Sequence, residues 1–191
     1  MSDVLLDPPR VSDALRRIAS EIAARAEGEA VVLVAIRRGG EPFARRLAAL
    51  LVEHGAPRPE LGAVDITLYR DDAATALPNP RIGPSAMPRS IDRRVVVLVD
   101  DVLHTGRTIR AAVDAVLDYG RPRRIELAVL VDRGGRELPI QADYCGLRVE
   151  VPVHARVEVI AKRSGPDPDD EEPWALTVPA SPRSRATEVT P

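Results

Sequence analysis

One stretch of the 191-residue chain limits its possible folds more than any other: Arg94 to Gly120, RVVVLVDDVLHTGRTIRAAVDAVLDYG. Val95-Val96-Val97-Leu98-Val99 is an unbroken, largely β-branched run. That is the pattern of a strand buried on both faces of a parallel sheet. Asp100 and Asp101 follow at its C-terminal end. Beyond His104-Thr105-Gly106-Arg107-Thr108 the apolar spacing changes to Ile109, Ala112, Val113, Val116 and Leu117, one face of a helix, with Gly120 and Pro122 as its stop. A strand covered on both sides and leading directly into a helix predicts an α/β fold with a central, mostly parallel sheet flanked by helices.

In such sheets ligands bind in the crevice beyond the strands' carboxyl ends. The loop offers backbone N–H groups, the hydroxyls of Thr105 and Thr108 and the positive end of a helix dipole, all suited to a phosphate. Asp100 and Asp101 repel phosphate but suit ribose hydroxyls, or a metal that arrives with the ligand. Together they call for a sugar phosphate.

Hydrophobic residues make up 45% of the chain, enough for one α/β domain with a core. Aromatics make up only 3%, so Val, Leu, Ile and Ala must fill that core. The net charge of −2 gives no global argument for nucleic acid. Cys145, the sole cysteine, excludes a disulfide framework or thiolate metal cluster within one chain. No signal-peptide core precedes the first helical pattern, and no apolar run approaches about 18 residues. The expectation is a soluble, cytoplasmic protein with no membrane partner.

Met1 to Arg10 reads as an extended arm. Ser12 is a suitable N-cap for an amphipathic helix marked by Val11, Leu15, Ile18 and Ile22 and ended by Gly28. Val31 to Ile36 reads as a core strand. Arg37-Arg38-Gly39-Gly40 follows it as a second anion turn, where paired glycines let backbone approach closely, and a helix runs from about Pro42 to His54. Leu61 to Tyr69 alternates like a strand. Asp71 to Ile91, with four prolines and little periodicity, reads as a lid. Arg124 to Val131 is another strand, and Leu147 to Val151 and Val157 to Ile160 are edge strands. Residues 1–163 are expected to form one domain. Residues 164–191, rich in Pro, Asp, Glu, Ser and Thr, are expected to be a disordered tail.

The signature Val96-Val97-Leu98-Val99-Asp100-Asp101-Val102-Leu103-His104-Thr105-Gly106-Arg107-Thr108 resembles the phosphoribosyl-pyrophosphate (PRPP) motif of type I phosphoribosyltransferases. Asp65 to Asp72, Gly120-Arg121-Pro122, Leu130 to Ile140 and Ala142-Asp143-Tyr144 are similar to one branch, the bacterial pyrimidine operon regulator/uracil phosphoribosyltransferases. The resemblance spans roughly residues 11 to 160. It implies the type I phosphoribosyltransferase fold, with a small hood and a flexible loop.

It also implies a reaction: uracil plus PRPP, with Mg²⁺ carried by PRPP and no direct metal site, giving uridine monophosphate (UMP) and pyrophosphate. Leader mRNA of the pyrimidine operon becomes an implied partner, bound when uridine nucleotides are abundant, and homodimers or homotetramers are implied as well. On these residues Asp100, Asp101 and Arg70 would be catalytic, and the whole signature from Val96 to Thr108 would bind PRPP. Arg37, Arg38, Gly39 and Gly40 would take the pyrophosphate. Val131, Asp132, Arg133 and Ile140 would form the uracil pocket, and Arg17 and Arg25 would meet RNA.

The chain departs from the branch in three places: the first anion turn, the first helix and Gln141. Arg38-Gly39-Gly40 stands where the branch reads Thr-Arg-Gly; Arg16 and Ser20 replace a Thr and a His; Gln141 replaces a basic residue. Those departures leave room for a regulator that has lost turnover, or for an enzyme without RNA regulation. A receiver domain of response-regulator type is disfavoured, because its acid pair lies near the start of the domain and the sole lysine here, Lys162, is late. A purine phosphoribosyltransferase is disfavoured by Asp132-Arg133-Gly134-Gly135 and Glu137-Leu138-Pro139.

Overall fold

The two β-branched runs form adjacent strands of one sheet, and the strands beside them add to it in parallel. A computed structural model describes residues 2–6, 8–37, 39–69, 85–88, 90–151, 157–163, 171–179 and 187–188. Arg38, Arg70 and most of the lid expected after it lie outside these residues. In chain order the elements are β1 (Ser2–Leu6), α1 (Pro8–Ala26), β2 (Val32–Ile36), α2 (Gly40–Glu53), β3 (Glu60–Val64) and β4 (Val95–Leu103). There follow α3 (Arg107–Leu117), β5 (Arg124–Asp132), β6 (Tyr144–Glu150), β7 (Glu158–Arg163), β8 (Glu171–Pro179) and β9 (Thr187–Glu188).

The main sheet has the order β3-β2-β4-β5-β6-β9, and its first five strands are mutually parallel. Alternation along β4 divides the core in two. Val95, Val97 and Val99 pack with Leu15, Ile18, Phe43 and Leu47 of α1 and α2. Val96 and Leu98 pack with Ile109, Ala112 and Val116 of α3 on the other face. The continuous apolar run is therefore apolar because each face has its own helical cover.

Several elements end elsewhere than the sequence predicts. β4 runs on through both acids to Leu103, because Asp100, Val102 and Leu103 stay in register with Val129, Val131 and Asp132 of β5. The acid pair thus lies inside the strand's last turn of pleat, and the loop shrinks to His104-Thr105-Gly106. α1 begins at Pro8, with two prolines in its first turn, so Ser12 is not its cap. β3 stops at Val64: the Asp65 carboxylate accepts from Thr67 N at 2.8 Å and from Thr67 Oγ1 at 2.5 Å, closing a turn where alternation suggests strand. Ile66 is then buried and Leu68 exposed.

Inside the stretch expected to be disordered, Glu171–Pro179 is a strand. It pairs antiparallel with β1 and β7 in a second, three-stranded sheet, and β9 pairs with β6. Trp174, Leu176 and Val178 recur at period two within a polar composition, a signal that composition alone conceals. β6, read as an edge strand, has β5 on one side and β9 on the other. No helix among the described residues is long and apolar enough to cross a membrane.

Candidate active site

β2, β4 and β5 are neighbours and parallel, so their carboxyl ends open on one side of the sheet. Each leads into one of the segments singled out in the sequence. The closest approach is between the diglycine turn and the acid pair. A Cβ on Gly40 would lie 2.2 Å from the carbonyl oxygen of Val99, and one on Gly39 would lie 2.5 Å from Asp101 Oδ2. Only glycine lets the start of α2 sit this near β4. Its N-terminal dipole is thereby aimed into the crevice beside Asp101.

Within the acid pair the two carboxylates differ. Asp100 is 6% exposed; its Oδ1 accepts from Asp101 N at 3.0 Å. Burial, reinforced by the charge of Asp101, pushes its carboxyl well above the usual carboxylate range. Asp101 is half-buried at the rim, its Oδ1 accepting from Val102 N at 2.8 Å. Asp100 therefore favours the protonated, hydrogen-bond-donating form, while Asp101 stands at the rim of the crevice.

The loop after β4 turns at Gly106, whose φ of 90° is left-handed and strained for any other residue; it caps α3. Thr105 Oγ1 accepts from Arg107 N at 3.3 Å. The loop and the start of α3 stand where the sequence places a phosphate cradle. Val96, Val97, Leu98 and Val99 are fully buried, so their part in the signature is to build the strand rather than to touch ligand. Val102, His104, Thr105 and Thr108 are partly exposed and Arg107 is exposed. His104 is shifted down from the ordinary imidazole value, by burial first and by Arg133 second.

The third wall is the loop after β5. Arg133 N donates to Leu103 O at 3.0 Å, and Glu137 N and Leu138 N both donate to Thr105 O at 3.0 Å. A Cβ on Gly106 would meet Ile140 Cβ at 3.3 Å. The segments read as uracil pocket and as phosphate cradle are thus bonded together. Val131 is buried in the sheet and contributes as strand. Asp132 does not pair with Arg133: its Oδ1 accepts from Gly134 N at 3.0 Å and its Oδ2 from Arg136 Nη2 at 2.5 Å. Arg133 is 8% exposed, and burial lowers its pKa. Arg136 falls inside the Leu130 to Ile140 segment, and its sequence neighbours give no sign of a role for it.

Arg37 leaves the acid pair and lies 3.4 Å from Glu41 Oε1, beside a cavity of about 220 Å³ also lined by Ala44, Gly62 and Ala63. Tyr69, the last described residue before the expected lid, is held to α3: its hydroxyl donates to Asp118 Oδ2 at 2.5 Å and its carbonyl accepts from Arg110 Nη2 at 2.6 Å. Among the described residues no three His, Cys, Asp or Glu side chains gather into a metal cage. A Mg²⁺ bound mainly by phosphate oxygens needs only one or two carboxylates, and Asp101 at the rim fits that lesser demand.

Arg17 and Arg25 lie on α1. Arg17 Nη2 donates to Gly146 O at 2.6 Å. Arg25 Nε lies 3.0 Å from Glu126 Oε1, its Nη1 3.2 Å from Asp143 Oδ1, and its guanidinium 5.9 Å from the Tyr144 ring centre. Glu126, only 3% exposed, is also met by Arg124 Nε at 2.7 Å and by the Tyr144 hydroxyl at 2.8 Å. Arg25 therefore helps neutralise a buried carboxylate at the opposite end of β5 from the crevice.

A parallel sheet that sets an acid pair between a phosphate cradle and a diglycine turn defines a class, the type I phosphoribosyltransferases. The model of the phosphoribosyl transferase domain matches residues 1–172. Proteins called bifunctional protein PyrR are close relatives. That of a Roseiflexus species is 53% identical over 160 residues, covering 83% of this chain and 86% of the other. That of Akkermansia muciniphila is 48% identical over 168 residues, covering 88% and 93%, and that of Geobacter sulfurreducens 51% over 158 residues, covering 82% and 89%. The chain belongs to the phosphoribosyltransferase family, in the branch of the bifunctional PyrR proteins. Hypoxanthine phosphoribosyltransferases of Staphylococcus aureus (TM-score 0.63, 20% identity, covering 81% of this chain and 80% of that one) and Trypanosoma cruzi (0.63, 22%, 92% and 95%) share the fold.

Proposed function

We propose that this chain transfers the phosphoribosyl group of PRPP to uracil, giving UMP and pyrophosphate, and binds pyrimidine operon leader mRNA in response to uridine nucleotides. The observation that carries the enzymatic half is the seating of the diglycine turn against Asp101, opposite a loop capped by left-handed Gly106. The regulatory half is supported by kinship with relatives whose shared name marks them as bifunctional. The setting is the cytoplasm, and the assembly a homodimer or homotetramer.

In the reaction the ribose C1–pyrophosphate bond breaks, a ring nitrogen of uracil forms the new bond to C1, and the nitrogen's proton leaves. The ribose passes through an oxocarbenium-like state, so positioning and electrostatics dominate. Asp101 accepts from ribose hydroxyls and offsets the developing positive charge. Asp100, which favours its proton, keeps a second like charge from forming beside it. Thr105, Gly106, Arg107 and Thr108 enclose the 5′-phosphate at the start of α3. Gly39 and Gly40 bring the start of α2 to the pyrophosphate, with Arg37 and Arg38 as its basic rim. The role assigned to Arg70, excluding water from the reacting centre, falls on a residue outside the described ones. Asp101 is the carboxylate that would hold a Mg²⁺ arriving on PRPP, and that ion would supply positive charge to the leaving pyrophosphate. Arg133 and Ile140, carried on the strand through Val131 and braced by Asp132, face the base.

Arg16, Arg17 and Arg25 project from α1 with half of each side chain exposed, and offer charges to RNA phosphates. The deciding experiments address each half separately. Asp101→Asn is expected to lower uracil-dependent release of pyrophosphate at least about tenfold, from the roughly 1.5–3 kcal/mol of a charge-assisted hydrogen bond. Equal turnover by the variant would remove Asp101 from the mechanism, and no turnover by the wild type would remove the reaction. Filter binding to the pyrimidine leader, with and without UMP, tests the regulatory half; affinity no better than for unrelated RNA refutes it.

A further inference from the structure

Arg136 lies outside every role assigned so far, yet its side chain makes three polar contacts in the site. Its side chain is 16% exposed and touches three segments at once. Nη2 pairs with Asp132 Oδ2 at the end of β5, Nη1 donates to His104 O in the phosphate loop at 2.8 Å, and Nε donates to Ile140 O at 2.8 Å. Two of these partners are backbone carbonyls, from different loops. The two loops are also joined by backbone bonds, from Glu137 N and Leu138 N to Thr105 O and from Arg133 N to Leu103 O, and at their exposed side by the pair of Arg107 Nε with Glu137 Oε2 at 2.6 Å.

Of the ordinary side chains, only a guanidinium has the donors for this. It offers five N–H groups in a fixed plane, whereas an ammonium is a point charge that turns about one stem. A lysine at 136 would keep the charge next to Asp132 but could not span to His104 O and Ile140 O together. The arrangement is also nearly closed to water, so losing it leaves half-buried carbonyls without partners.

We propose that Arg136 is the positioning residue that sets the base-recognition loop, 133–140, in register with the sugar-phosphate loop, 104–106. It never meets substrate. It ensures that Arg133 and Ile140 face a base only where the ribose of that base would sit. This inference rests on the phosphoribosyl-transfer reading for which atoms the two loops hold; the locking itself does not depend on it.

The test uses the full chain with Arg136→Gln and Arg136→Lys. In the free protein, amide hydrogen exchange at Arg133, Glu137 and Leu138 is expected to speed up at least about tenfold in both variants, while the amides of residues 95–99 keep their rates. In steady-state turnover the KM for uracil is expected to rise at least about tenfold in both, with a smaller rise in the KM for PRPP. Rescue by Lys would mean that charge alone acts, and would overturn the proposal. So would unchanged exchange, or faster exchange with an unchanged uracil KM. Should either variant fail to fold, Asp132→Ala removes one of the three contacts and is expected to give the same pattern more weakly; its absence there also overturns the proposal. A wild type with no uracil turnover would refute the proposed function, whereas the exchange rates would still decide whether Arg136 locks the loops.

Discussion

The seating of α2 on β4 yields a paired perturbation whose two halves should fail differently. At Gly40 an added Cβ lies 2.2 Å from the Val99 carbonyl oxygen, whereas a comfortable C···O contact is about 3.3 Å. The obstacle is backbone in the middle of the sheet, so Gly40→Ala must push the start of α2 away by about 1 Å. Overpacking of this kind costs roughly 1–3 kcal/mol, which for a chain of this size lowers Tm by roughly 2–12 °C. A displacement of that size at a reacting centre costs on the order of 100-fold in rate. At Gly39 the added Cβ meets the Asp101 carboxylate, 2.5 Å from Oδ2 and 2.6 Å from Cγ. There a side chain can swing aside. Asp101 then gives up its bond from Val102 N and its place at the rim, but water can replace that bond, so the stability change should stay under about 1.5 kcal/mol. Melting and uracil-dependent release of pyrophosphate, measured on the same preparations, separate the cases. Gly40→Ala is expected to lose both stability and rate; Gly39→Ala is expected to lose at least about tenfold in rate while melting close to wild type. A Gly39→Ala protein with wild-type turnover would refute the placement of Asp101 against the turn, and a Gly40→Ala protein with wild-type Tm would refute the packing of α2 on β4.

Two further outcomes follow from buried charges. Because burial raises the Asp100 pKa, the folded state holds that proton more tightly than the unfolded chain; stability from this group is complete below the ordinary carboxylate value of about 3.9 and is lost as pH rises through the raised value. The Tm of wild type minus that of Asp100→Asn is therefore expected to fall from about pH 4 upward and then level off, and a difference that grows with pH would contradict it. Tyr144→Phe removes a hydroxyl that donates to buried Glu126 and is itself held protonated by burial and by that bond. A loss of roughly 1.5–3 kcal/mol, or about 3–12 °C in Tm, is expected with RNA affinity unchanged; an unchanged Tm would show that the hydroxyl contributes nothing to the network.

What the sequence shows and what it hides divide along local and non-local causes. The β4 strand, its acid pair, Gly106 and α3 are legible because each depends on residues a few positions away: β-branched runs, a helical period, a glycine at a turn. The end of β3 is misread because Ile66 and Leu68 continue an alternation that the Asp65 carboxylate interrupts. β8 is concealed by its composition, and one of its pairing partners, β1, lies at the other end of the chain. Arg136 is the sharpest case. Its neighbours in sequence mark a turn, and nothing local says that its three acceptors are supplied by His104, Asp132 and Ile140.

The same distinction bears on the two arginines that sequence reading assigned to RNA. Arg25 counts as a basic residue on a helix face until Glu126 and Asp143 are brought beneath it by β5 and by the approach to β6. Removing it strips one cation from a buried carboxylate, so an Arg25→Ala defect in RNA binding would mix lost contact with a loosened α1. Arg17 is cleaner, because its partners are a backbone carbonyl and the exposed Glu21. Both sit on the helix that covers β5 and β6, while Arg133 and Arg136 stand just beyond the other end of β5, some eight residues and roughly 26 Å along the strand from Arg124. The arginines proposed for RNA and the loop proposed for the base thus lie at opposite ends of one strand. A substitution at Arg17 should move RNA affinity and spare turnover, whereas one at Arg136 should move turnover and leave RNA affinity measured without UMP unchanged.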